Sequence, residues 1–156
     1  MIKSNQVETQ SRNNNLTIVD YAPEGQNGQR YLDDLLTRLP PRAGKSSFLV
    51  FKNNKYLTVR TENIAYFYVK YDSSIIVSFD KQEYFVNQSL EHIQNLVTEK
   101  QFFRLNRQYL ISFDAVKEVE HYFARKLLVN LVVAVAEKLL VPKEKVSNFL
   151  EWLENR

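Results

Sequence analysis

Residues 102–112 read Phe-Phe-Arg-Leu-Asn-Arg-Gln-Tyr-Leu-Ile-Ser, and this stretch predicts a strand that begins beside several polar side chains. Tyr109 and Ile111 alternate with the residues between them, and a period of two is typical of a β-strand. Three side chains with hydrogen-bond donors stand just before this strand: Arg104, Asn106 and Arg107. Arginine and asparagine in this position can donate hydrogen bonds to phosphates or to base edges.

Short apolar segments separated by turn residues continue on both sides of this stretch. They predict strands at 48–51, 56–59, 64–70, 74–79, 84–86, 109–113, 116–123, 127–135 and 139–141. Asn53-Asn54 predicts a hairpin between the first two strands, because asparagine tolerates a positive φ. Residues 71–73 predict a second turn. Strands and helices do not alternate regularly, which argues against a parallel doubly wound sheet.

Two short helices are predicted within this β-rich region. The first carries apolar residues from Leu90 to Val97 and begins after Ser89, a residue type that caps helices. The second is the last element of the chain, and its apolar stripe is predicted to face the core, with Trp152 at the edge of the stripe. The stripe comprises Val146, Phe149, Leu150 and Leu153.

The first 43 residues have a different character. They are mostly polar, and we interpret residues 1–43 as a disordered tail followed by a linker helix at 30–39. Leu32, Leu35, Leu36 and Leu39 form the apolar stripe of that helix, and Pro40-Pro41 ends it. The stripe could dimerise, dock on the domain or cover a sheet edge. Residues 44–156 are then a single domain.

Composition sets broad limits on function. The net charge is +3, and residues 44–156 hold 16 basic and 13 acidic residues, so the whole excess lies in the domain. An excess this small does not by itself indicate nucleic-acid binding. The absence of cysteine excludes disulfides, and the N-terminus lacks the apolar core of a secretion signal. Both observations fit a cytoplasmic protein.

The sequence offers little support for catalysis. All three glycines lie in the first 44 residues, so the domain contains no glycine-rich loop that could hold a phosphate. Its two histidines, His92 and His121, are 29 positions apart and have no cysteine partner, which makes a zinc site a weak interpretation. We therefore expect no enzyme activity, no cofactor and no metal.

Four segments, in this order, resemble the LytTR domain, the DNA-binding output module of LytR/AlgR-type bacterial response regulators. They are Phe48 to Asn54 with Glu62 to Phe67, then Tyr84 to Leu90, then 102–112, and finally Leu140 to Val146 before the last helix. The resemblance runs from about Ser47 to Leu153. It implies a layered, mostly antiparallel β-sandwich with short helices. This chain has Asn106-Arg107 where the family often has His-Arg, and Pro142-Lys143 where the family usually has Ser-Arg.

The resemblance also implies a binding surface on three loops that enter successive major grooves. The DNA-binding candidates are Lys70, Tyr71, Ser73, Ser74, Asn106, Arg107, Gln108, Lys143 and Lys145. Arg107 fits a guanine through its two-pronged guanidinium, and Lys143 fits a phosphate as well as a base. Without the resemblance, Arg107, Lys143 and Lys145 would be interpreted as solvated surface charges. For Arg104, a structural role and a phosphate contact stay equally open.

The expected partner is double-stranded DNA, which LytTR proteins typically bind as dimers on paired direct repeats. A receiver domain cannot fit in the first 45 residues, since ordinary domains start at about 50 residues. The chain is therefore either the output part of a longer regulator, with a receiver domain or sensor kinase as further partner, or a stand-alone regulator. The alternative is a β-rich protein-interaction module that does not bind DNA. No membrane partner is expected.

Overall fold

The computed structural model describes residues 44–155, which form ten strands and two α-helices. The predicted tail and linker helix lie outside the described residues. The strands are β1 (Ser47–Lys52), β2 (Lys55–Arg60), β3 (Ile64–Lys70), β4 (Ser73–Ser78), β5 (Glu83–Val86), β6 (Phe102–Arg104), β7 (Tyr109–Ser112), β8 (Val116–His121), β9 (Leu127–Leu131) and β10 (Leu139–Val141). The helices are α1 (Leu90–Leu96) and α2 (Val146–Glu154).

A five-stranded antiparallel sheet forms the middle layer, in the order β5-β4-β3-β7-β6. Both of its faces are covered. In β4, Ile75 and Val77 point to one core cluster and Ile76 to the other. Burial on both faces favours apolar residues at consecutive positions rather than strict alternation. This explains why β7 is buried along its whole length.

Two smaller sheets provide the outer layers. The hairpin β1–β2 and helix α1 cover one face, where Phe48 packs edge-on against Phe67 with ring centroids 5.3 Å apart. The sheet β10-β9-β8 and helix α2 cover the other face, where Phe149 and Val141 are fully buried. The predicted fold class, a layered and mostly antiparallel β-sandwich with short helices, is confirmed for the described residues.

Two tight turns orient the hairpins. Asn53 and Asn54 adopt φ values of 53° and 64°, as the sequence predicted for the β1–β2 turn. Tyr71 and Asp72 adopt φ values of 50° and 63° and connect β3 to β4. Such two-residue turns match the twist of the strands that they join. Ser73 already belongs to β4, so the second turn is one residue shorter than predicted.

Further details of the sequence interpretation are wrong. Residues 102–104 form a strand of their own, β6, which pairs with β7. Strand β9 ends at Leu131 rather than at residue 135. Leu150 is 46% exposed, whereas Trp152 packs against Phe103 with ring centroids 5.2 Å apart. The indole Nε1 of Trp152 also donates a hydrogen bond of 2.8 Å to the Glu99 carbonyl. The packed face of α2 therefore includes Trp152 in place of Leu150.

Neither helix within residues 44–155 is long and apolar enough to cross a membrane.

Candidate nucleic-acid interface

The three loops singled out from the sequence lie at the same edge of the fold. Tyr68 of β3 pairs with Tyr109 of β7, and the Val69 amide donates a 3.0 Å hydrogen bond to the Gln108 carbonyl. The β3–β4 tip therefore lies beside the loop that enters β7. The Lys145 ammonium donates to the Arg104 carbonyl at 3.1 Å, which brings the beginning of α2 to that loop.

Arg104 holds the loop before β7 together. Its Nε donates to the Asn106 carbonyl at 2.7 Å and its Nη2 donates to the Arg107 carbonyl at 2.9 Å. Its Nη1 donates to Oε1 of Gln94 in α1 at 3.0 Å. Burial lowers the pKa of the Arg104 guanidinium, although the charge of Glu91 opposes this shift. Of the two roles that the sequence left open, these contacts favour the structural one.

The side chain of Asn106 shapes the same loop. Its Oδ1 accepts hydrogen bonds from the backbone amides of Gln108 at 2.8 Å and Tyr109 at 3.0 Å. Asparagine often folds a turn in this way, because its side chain can imitate a backbone carbonyl. The side-chain oxygen Oδ1 of Asn106 is therefore occupied, and its side-chain amino group is the part that can donate to a ligand.

Arg107 differs from both of these neighbours. Its side chain is exposed and makes no hydrogen bond or ion pair to any of residues 44–155. Its carbonyl, however, is held by Arg104. A fixed backbone with a free guanidinium suits recognition, because less conformational freedom is lost on binding. Gln108 is also exposed, and its carbonyl links the loop to β3.

The β3–β4 tip contributes exposed side chains and one buried side chain. Tyr71 is 89% exposed, and the Lys70 ammonium lies 5.7 Å from the centroid of its ring. Ser73 is half-buried. Ser74 is only 4% exposed and pairs with Val86 inside the sheet, so the structure does not present its side chain to a ligand. The burial of Ser74 argues against a DNA contact by its side chain, because β4 begins one residue earlier than predicted.

The beginning of α2 contributes two lysines in different situations. Lys143 and Lys145 lie in a single 3₁₀ turn that precedes the helix. Lys143 is exposed, and its side chain makes no hydrogen bond or ion pair among the described residues. Lys145 is half-buried, and burial together with the nearby Arg104 charge lowers its pKa. Lys145 therefore braces the neighbouring loop, and Lys143 is the freer of the two.

Sequence analysis missed a group of tyrosines beneath this edge. The rings of Tyr68 and Tyr109 stack with centroids 5.8 Å apart, and Tyr66 lies 6.0 Å from Tyr109. The Tyr109 hydroxyl donates to Oε1 of Glu137 at 2.8 Å. Burial raises the pKa of Tyr66 to about 12, and burial and the Glu137 carboxylate raise that of Tyr109. The spacing of Tyr66 and Tyr68 was a signal that they share one face of a strand.

In the described part of the chain, no three side chains of the His, Cys, Asp and Glu types come together. His92 lies on α1 and His121 at the end of β8, and both are exposed.

The comparisons with known proteins agree with this architecture. The model of the family described as the LytTr DNA-binding domain matches residues 54–154. This chain belongs to the LytTR family of DNA-binding domains. The LytTR match begins at Asn54, so it leaves out β1, although β1 pairs with β2 along its full length.

A solved structure shows the same fold. It is the LytTr DNA-binding domain of a Bacillus cereus protein described as a methyl-accepting/DNA response regulator. The two structures agree with a TM-score of 0.62 at 17% sequence identity, over 70% of this chain and 98% of the other. At this identity the likeness supports the fold only. A search among curated proteins gives no match.

Proposed function

We infer that this LytTR domain binds double-stranded DNA sequence-specifically and serves as the output domain of a bacterial transcription regulator. It reads bases in the major groove from loops instead of from a recognition helix. The observation that carries this proposal is that, at one edge of the fold, some polar side chains fix the loops and others are left available to a ligand. Arg104, Asn106 and Lys145 hold the loops, while the side chains of Arg107 and Lys143 make no hydrogen bond or ion pair within residues 44–155.

Each free side chain has a role that follows from its chemistry. The planar guanidinium of Arg107 can bond O6 and N7 of a guanine together, a contact that discriminates among base pairs. Lys143 is a flexible point charge beside the first amides of α2, which no side chain caps. A phosphate is its best partner. Lys70, Tyr71 and Ser73 form the third contact, from the β3–β4 tip.

The arrangement also suits paired sites. The β3–β4 tip, the loop before β7 and the turn before α2 form one compact edge, the reading edge, which covers one half-site. Two copies on direct repeats would therefore multiply affinity and selectivity. A partner of this kind places the protein in the cytoplasm. The signal would reach the domain through a receiver domain, a sensor kinase or another input, depending on whether the chain is part of a longer protein.

An electrophoretic mobility shift against genomic fragments, run at two salt concentrations, tests the proposal. We expect discrete complexes with a subset of fragments, and weaker binding at the higher salt concentration because phosphate contacts release counterions. Lys117→Gln is the matched control, since Lys117 is exposed on β8 at the end of the strand remote from the reading edge. If no fragment is retarded at low salt, sequence-specific DNA binding is wrong.

One observation favours the alternative, a protein-interaction module. The outward face of the β1–β2 hairpin exposes Leu49, Phe51 and Tyr56, and exposed apolar patches often mark protein contacts. A chain that retards no DNA yet loses a protein partner on Phe51→Ser would support this second function.

A further inference from the structure

The hairpin tip between β8 and β9 lies at the reading edge, although it contains none of the residues considered so far. Leu127, the first residue of β9, pairs with His121 on one side and with Val141 on the other. Val141 is followed directly by Pro142 and Lys143. The register therefore places residues 122–126 beside Lys143, at the same end of the three-stranded sheet.

The tip is held in one conformation. The Tyr122 amide donates to the Lys126 carbonyl at 2.9 Å, and the Lys126 amide donates to the Phe123 carbonyl at 3.1 Å. Ala124 and Arg125 adopt φ values of 56° and 60°, a left-handed backbone that costs free energy for residues other than glycine. A costly conformation at a solvent-exposed tip is a reason to look for a function there.

The side chains of the tip combine an aromatic ring with positive charge. Phe123 is 80% exposed, and its ring lies edge-on to that of Tyr122 with centroids 5.1 Å apart. Arg125 and Lys126 form no ion pair within residues 44–155. The Lys138 ammonium lies 5.4 Å from the centroid of the Tyr122 ring, which adds a third cation.

The acidic residues of this sheet do not neutralise the tip. Residues 122–126 contain no acid, and Glu118 and Glu120 lie farther along β8. Both of these carboxylates accept hydrogen bonds from Nδ2 of Asn130, at 3.2 Å and 2.6 Å. The tip therefore carries the charges of Arg125 and Lys126 with no acidic residue of its own.

We propose that residues 122–126 are a fourth DNA-contacting element, which grips the sugar–phosphate backbone next to the position of Lys143. Arg125 binds a phosphate, and Phe123 packs against the deoxyribose rings of the same strand. Both contacts are independent of sequence, because neither reaches a base edge. This inference rests on the proposed function and adds to it an anchor that sets the register of the reading loops.

The test measures binding of a 30-base-pair duplex of random sequence at several salt concentrations. Arg125→Asn removes the charge and keeps a residue that tolerates the left-handed backbone. We expect the slope of log K against log salt to become shallower by about 0.9, the contribution of one phosphate contact. The affinity ratio of the unchanged chain to the variant should fall about threefold between 50 and 200 mM salt. Phe123→Ser should lower affinity with no change in slope.

Lys117→Gln and Arg107→Ala complete the design. Lys117→Gln removes one positive charge from the end of β8 that is remote from the tip. The slope of log K against log salt for this variant should equal that of the unchanged chain. Equal changes for Arg125→Asn and Lys117→Gln would overturn the proposal, since they would reflect net charge alone. Unchanged binding for Arg125→Asn and Phe123→Ser would also overturn the proposal. If Arg107→Ala still lost base selectivity in that case, the proposed function would stand without the fourth element. If the unchanged chain did not bind duplex DNA, both the fourth element and the proposed function would be overturned.

Discussion

Arg104 and Arg107 are three positions apart and have opposite uses. The guanidinium of Arg104 is turned inward onto two loop carbonyls and Gln94, whereas that of Arg107 is free among the described residues. A charged donor that satisfies backbone carbonyls stabilises a loop by more than a neutral donor does. The first arginine therefore fixes the backbone from which the second projects.

Replacement of Arg107 tests its reading role. We expect Arg107→Ala to weaken binding to a specific site by about 1–3 kcal/mol and to relax preference at one base pair, because a bidentate contact is lost. Thermal stability should hardly change, since the side chain has no partner within residues 44–155. Titration of a site library would show this, and a variant with unchanged selectivity would disprove the assignment.

Lys143 should behave as a phosphate contact. With Lys143→Ala, affinity should fall equally for specific and random duplexes, and the slope of log K against log salt should shrink by about one unit. A salt titration on both duplexes measures this effect. A loss confined to one base position would make Lys143 a base reader instead, and no loss on either duplex would leave it as a solvated charge.

Arg104 is a positioning residue, and its test needs a double-mutant cycle. Arg104→Gln should destabilise the domain by about 1–3 kcal/mol, because several charge-assisted hydrogen bonds are lost. It should also reduce selectivity while Arg107 is intact. If Arg104 acts through Arg107, the two substitutions will be less than additive in binding, whereas an independent phosphate contact by Arg104 would give additive losses.

Sequence reasoning separated these side chains only in part. It singled out Arg107 and Lys143 as donors and left two roles open for Arg104, whose position is out of phase with Phe103 and Leu105. It could not show that Oδ1 of Asn106 accepts hydrogen bonds from two backbone amides, or that the Lys145 ammonium donates to the Arg104 carbonyl. Both contacts depend on the three-dimensional path of the loop, which a one-dimensional pattern does not contain.

At the scale of elements, the strands were easier to predict than their ends. Turn residues located most strands, and Asn53-Asn54 located the first hairpin. Strand β6 was missed because three residues do not establish a period. Residues after Leu131 looked like a continued strand because Val133 and Val135 are apolar. Val133 is in fact buried without a strand partner, and the Val132 amide donates to the Ala115 carbonyl instead.

The β3–β4 tip offers a prediction at this scale. Tyr71 occupies a left-handed position that asparagine adopts more readily. We expect Tyr71→Asn to raise the free energy of unfolding by about 0.5–1 kcal/mol, since the backbone cost falls. The same change should weaken DNA binding, because the exposed ring is lost. Thermal melting and a duplex titration measure the two effects, and a gain in both would argue that Tyr71 is not a DNA contact.

At the scale of the whole molecule, 43 residues precede the domain, and we expect that operator recognition does not need them. Residues 1–43 carry five basic and five acidic residues, so they add no net positive charge. Two contacts tie the residues at Gly44 and Lys45 to the rest of the domain. The Lys45 amide donates to the Leu96 carbonyl at 2.7 Å, and a Cβ on Gly44 would lie 2.7 Å from Thr98 Cγ2. A shortened chain should therefore keep Gly44.

We expect a chain of residues 43–156 to fold and to select the same half-site as the full chain. It should bind a paired site less cooperatively if the leucine stripe from Leu32 to Leu39 joins two copies, because two linked domains gain an effective concentration that separate ones lack. Half-site and paired-site titrations of both chains measure this. The full chain with all four leucines of the stripe replaced by serine is the matched control, since it keeps the length and removes only the apolar stripe. Loss of half-site selectivity in the shortened chain would overturn the boundary. Unchanged cooperativity in both variants would assign the stripe to packing, and the pairing of domains would then depend on the DNA alone.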